Sequence, residues 1–138
     1  MPATGVEEIA PVFDYEPSGD TNVDAVLYGR GYDTDPETGI TTVSYGFPTA
    51  TSQFSTHETA GYGTADSEPY DGFEEVSEAT KDLLRDAIAN IESFTNIDLV
   101  EIEDAGDQAA TVRLAWTALD DESSVAWAYL PGNYYAAG

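Results

Sequence analysis

The chain has 138 residues, with 27 Asp and Glu against four Lys and Arg, a net charge of −23 and a pI of about 4.1. Arg30, Lys81, Arg85 and Arg113 are its only cations, too few to neutralise a row of phosphates or to dock on an anionic leaflet, so nucleic acid and membrane surface are excluded as partners. Nine Tyr, five Phe and two Trp supply enough large side chains for one folded domain with an acidic surface, and the absence of Cys excludes disulfides, thiolate nucleophiles and Cys-ligated metals.

Residues 1–21 are rich in Pro, Gly and acid without a sustained period, and are expected to form a flexible lead or pro-segment with no secondary structure. They also lack the basic start and apolar core of a secretory signal. The domain proper is expected over 22–138. Val23, Ala25, Val26 and Leu27 make a compact apolar patch compatible with a helical turn or a strand, and the turn-forming GYDTDPETG follows. Val43, Tyr45 and Phe47 alternate in TTVSYGF, which predicts a strand from Thr41 to Phe47 stopped by Pro48.

The polar, Gly-rich stretch from Pro48 to Gly72 has no period, and a connection that long in a compact domain is often functional. Ser77 is a natural N-cap. Behind it, Leu83, Leu84, Ala87, Ile88, Ile91 and Phe94 form one apolar stripe, predicting a helix from Glu78 to Phe94. Strands are predicted at Ile97–Ile102 and at Thr111–Leu119, the latter with Val112, Leu114 and Trp116 on its inner face. A last short strand, Val125–Leu130, is closed by Pro131 and Gly132.

Several words in this order resemble the catalytic domain of serralysin-type zinc proteases, a branch of the metzincins. NVDAVLYG (22–29) is similar to the family's opening segment, VSYGFP (43–48) to its first strand, and NIDLVEI (96–102), ATVRLA (110–115) and AWAYLPG (126–132) to its later strands. Ile91 stands where the family usually has Trp on the helix. The resemblance implies an α+β, zincin/metzincin-like N-terminal subdomain: a small twisted mixed sheet packed on one long helix. It further implies a parent zinc metalloendopeptidase that is exported from the cell and acts on a peptide or protein substrate.

In that family the strand before the Pro-Gly turn is the sheet edge on which extended substrate lies. This would be Val125, Ala126, Trp127, Ala128 and Tyr129, an edge able to bind peptide by strand addition. The family's zinc helix, with its His-Glu-x-x-His motif, follows that turn. It is missing here, His57 is the only His, and a catalytic zinc needs three protein ligands. The chain alone is therefore expected to be inactive, with zinc supplied in the complete parent by a second half. One consequence would be a gap in the sheet between the last two strands, filled by a second polypeptide unless the last strand pairs differently. The alternative reading is a non-catalytic acidic module that binds a peptide or partner chain through the same edge.

His57 in the polar loop reads as a solvated histidine, since a lone His lacks companion ligands. Asp33, Asp35 and Glu37 alternate before Gly39 like the start of a Ca2+ loop, but the full EF-hand spacing and its terminal Glu are missing. A solvated hairpin tip is the better reading there, with calcium kept as a candidate cofactor. Asp120, Asp121 and Glu122 are similar. Core packing accounts for Trp116, whereas Trp127 beside the proposed edge is left open between core and ligand surface, with Tyr134 and Tyr135.

Overall fold

A computed structural model describes residues 12–14, 16–24, 30–55, 62, 69–70, 72–118, 126 and 128. Among the described residues, two sheets and one long helix make an α+β fold. The first sheet is an antiparallel pair, β1 (Val12–Asp14) with β2 (Arg30–Tyr32), in the register Val12↔Tyr32 and Asp14↔Arg30. The expectation that residues 1–21 carry no secondary structure therefore fails at β1. Its short run of Val and Phe finds a partner that local pattern reading could not see. Between the two strands, α1 (Thr21–Asp24) is a single turn. It is started by Asp20, whose carboxylate accepts from Asn22 N, and tied back by Asp24, which accepts from Ser18 N, Ser18 Oγ and Gly19 N.

The second sheet holds β3 (Thr41–Gly46), β4 (Ile97–Glu101) and β5 (Val112–Arg113), with β3 in the centre and both neighbours parallel to it. Parallel neighbours require crossover connections. From β3 to β4 the crossover contains α2 (Glu78–Glu92). Ser77 caps its start by accepting from Thr80 N, and its C-terminal carbonyls are held by hydroxyls, Ser93 Oγ on Asn90 O and Thr95 Oγ1 on Ile91 O.

The link from β4 to β5 is short for a geometric reason. Glu101 ends β4 opposite Tyr45 and Val112 begins β5 opposite the same residue, so the chain only steps across one strand, about 10 Å. It crosses at Gly46. A Cβ there would lie 3.0 Å from Ala110 Cβ, Asp104 Cβ and Ile102 O, so only glycine leaves room for the crossing.

Register sorts the side chains onto two faces. Val43, Tyr45, Leu99 and Val112 share the face toward α2, where Tyr45, Phe47 and Val76 form the buried core with Leu84, Ile88 and Leu114 packed against it. Ser44, Gly46 and Arg113 share the opposite face, where Ser44 Oγ donates to Thr111 Oγ1 and accepts from Thr111 N.

Three of the predicted elements match closely: β3, α2 and β4. The predicted strand Thr111–Leu119 does not, because regular pairing stops at Arg113. Beyond it the segment returning from the long connection runs alongside, with Glu74 and Trp116 exchanging both main-chain bonds at 2.9 and 3.1 Å. Trp116 is 54% exposed, so its expected place on the inner face is corrected: the core face is complete at Leu114. Gly72 closes this clasp at φ +63°, with a would-be Cβ 2.7 Å from Ala118 Cβ.

Candidate functional site

Ligands of open α/β sheets gather at the carboxyl ends of the strands. In this chain that end is built around the pair Asp104–Arg113. The guanidinium grips the carboxylate with two bonds, Nε to Oδ2 at 2.7 Å and Nη2 to Oδ1 at 2.6 Å, and the two side chains are 5% and 0% exposed for Arg113 and Asp104. Arg113 Nη1 donates to Gln53 O, and Asp104 Oδ2 also accepts from Ala110 N. Burial in low dielectric makes such a pair tolerable only when its remaining hydrogen-bonding capacity is satisfied, as these partners do.

Phe54 stacks on this pair, with the Arg113 guanidinium 4.1 Å from its ring centroid. Tyr62, Tyr70 and Phe73 surround Phe54 edge-on at 5.3–5.8 Å, and Tyr70 OH donates to Phe54 O. Burial pushes the Tyr70 phenol above its usual range, with the nearby Arg113 charge opposing. The described parts of the long polar connection are thus held by aromatic packing on one buried cation. Chemically, the Asp104 carboxylate is fully engaged and serves as a strut. It is not a free base.

On the opposite face, Arg85 of α2 reaches Glu101 of β4 through Nε and Nη2 at 2.8 and 2.7 Å, and Tyr45 OH donates to Glu101 Oε2 at 2.8 Å. The Arg85 hydrogen bonds, with help from Tyr45, hold Glu101 below the usual carboxylate range. Burial, then the Glu101 hydrogen bond, raises Tyr45. The charged heads of Arg85 and Lys81 both lie over the Phe47 ring, at 5.4 and 5.6 Å from its centroid.

The proposed substrate edge falls mostly beyond these elements. Ala126 and Ala128 are described, exposed and outside any strand, whereas Val125, Trp127 and Tyr129 lie outside the described residues. So do His57, Asp120, Asp121, Glu122, Tyr134 and Tyr135. Asp33, Asp35 and Glu37 are exposed at a turn in which Asp35 Oδ1 accepts from Glu37 N, and that bond holds the Asp35 carboxyl low. Among the described residues no three His, Cys, Asp or Glu come together as a metal site, and no helix is long and apolar enough to cross a membrane.

Both ion-pair networks were missed in the sequence. The available signal was Arg113 itself, a charge set between Val112 and Leu114 in an apolar run, which demands a partner when the run is buried. No protein-family model matches the chain, and no curated protein and no solved structure matches it.

Proposed function

We propose that this chain is the N-terminal portion of a secreted, zinc-dependent metalloendopeptidase of the metzincin type, supplying the sheet and the edge along which an extended peptide substrate lies. One observation supports the proposal: three of the five family-like words fall in order on described strands, on either side of the capped helix. VSYGFP covers most of β3, a capped helix follows the long connection, NIDLVEI contains β4 and ATVRLA contains β5.

The residues present do not fit the family's catalytic zinc, whose His-Glu-x-x-His-x-x-Gly-x-x-His set needs three His where this chain has one. No chemical step is therefore assigned to this chain. Its contribution is binding and orientation: main-chain N–H and C=O groups at 125–129 give affinity by strand addition with little sequence demand. The small exposed residues Ala126 and Ala128 leave a peptide backbone room to approach.

The test is intact mass and zinc content of the natively purified material, with the flanking coding sequence read alongside. Stoichiometric zinc on a polypeptide that bears a His-Glu-x-x-His helix is the expected result. A zinc-free 14.8 kDa species from a gene that stops after Gly138 would overturn it and leave a peptide-binding acidic module.

A further inference from the structure

The apolar stripe of α2 does not face the sheet squarely. Successive helical residues turn by about 100°, which places Leu83, Ala87, Ile91 and Phe94 within roughly 80° of one another, counting the last turn as helical. The residues that approach the sheet, Lys81, Leu84, Arg85, Ile88 and Glu92, are centred roughly 110° further round. Of these, only Leu84 and Ile88 are apolar. Lys81 and Arg85 set their charged heads over the Phe47 ring, and Glu92 Oε1 accepts from Leu99 N at 2.7 Å on β4.

The helix is thus rolled so that charged residues are used inward while apolar ones are left outward. Leu83 is 69% exposed, Ile91 38% and Phe94 70%, and no residue of α2 is fully buried.

We propose that the stripe Leu83–Ala87–Ile91–Phe94 is the seat of a second amphipathic helix, carried by another polypeptide and bearing Lys or Arg along one flank. The shape follows from length. Leu83 to Phe94 rises roughly 16 Å along one helix, the span of about three turns of a partner lying alongside.

The charge follows from the border. Asp86 lines the outer side of the stripe and is exposed, and Asp82 beside it keeps its second oxygen exposed while its first bonds Arg85 at 2.9 Å, whereas Lys81 and Arg85 lie toward the sheet side at Phe47 and Glu101. A second copy of this chain is disfavoured as occupant, since two bodies of net charge −23 would bring the same acidic borders together. The surface stands on the roll of α2 and is independent of the protease reading.

The test titrates the full chain with a synthetic amphipathic helix of about 18 residues, with Leu at helical spacing and Lys on one flank, followed by backbone amide NMR and fluorescence anisotropy. Comparators are the same peptide with Glu for Lys, and a scrambled peptide of identical composition without an apolar face. The expected result is binding at least about tenfold tighter than either comparator, shifts centred on α2, and a loss of at least about tenfold in Leu83→Ser/Phe94→Ser. Should that variant melt early, Ala87→Glu gives the same loss from the middle of the stripe. Equal binding of the scrambled peptide would overturn the proposal. So would undiminished binding by variants that remain folded, or a chain dimer in sedimentation that Leu83→Ser/Phe94→Ser abolishes.

Discussion

Two arginine–carboxylate pairs sit on opposite faces of one three-stranded sheet, and the protein uses them differently. Arg113–Asp104 is closed off from water and satisfies every neighbour it touches, including a carbonyl of the long connection and an amide of the β4–β5 link. Arg85–Glu101 is solvated, with both side chains 36% exposed, and shares its carboxylate with a tyrosine. The same chemistry is thus a strut in one place and a surface clasp in the other. Dielectric decides which.

The comparison is broken most severely at the buried pair. Arg113→Met leaves Asp104 buried without a counter-charge and should destabilise the fold by about 3–5 kcal/mol, measured by urea unfolding. Replacing both, as Asp104→Leu with Arg113→Met, should recover at least about 2 kcal/mol of that loss, because the penalty lies in the orphaned charge. Next in size is Gly72→Ala, which puts a Cβ against Ala118 at positive φ and should cost about 2 kcal/mol by opening the Glu74–Trp116 clasp.

Glu101→Gln sharpens the other side of the comparison. In its solvated setting the expected cost near neutral pH is only about 1 kcal/mol. The pH dependence carries a definite sign. Because Glu101 titrates below its ordinary value of 4.5, its contribution is fully present above that value and is lost as pH falls through the lowered folded value. The stability gap between the native protein and Glu101→Gln should therefore narrow from about pH 6 to about pH 3 in parallel urea titrations. Smallest is Ser77→Ala, which removes a cap bond of 3.3 Å and should cost about 0.5–1 kcal/mol in thermal melts.

What sequence could show follows the same division between local and distant causes. Alternation at Val43, Tyr45 and Phe47, the Ser77 cap and the apolar recurrence in 83–94 are local signals, and β3, α2 and β4 formed where they pointed. The β1–β2 pairing, the step across Gly46 and the shortening of β5 depend on partners far along the chain. No window of neighbouring residues encodes them.

The roll of α2 belongs with these. The stripe was legible, but the part of it that meets the sheet does so through distant partners, Phe47 and Glu101 for Lys81 and Arg85 and the Leu99 amide for Glu92. Of the candidate substrate edge, the sequence supplied residues 125–129 through a resemblance, and the structure adds that Ala126 and Ala128 are exposed.

The most direct measurement is amide hydrogen exchange across 125–129 in the full chain, with and without an excess of an extended, uncharged peptide. Substrate lying along this edge predicts protection at alternate amides, together with loss of that protection in Ala126→Pro, which cannot donate to an added strand. Unchanged exchange throughout 125–129, at peptide concentrations that shift amides elsewhere, would contradict the assignment of this segment as the substrate edge.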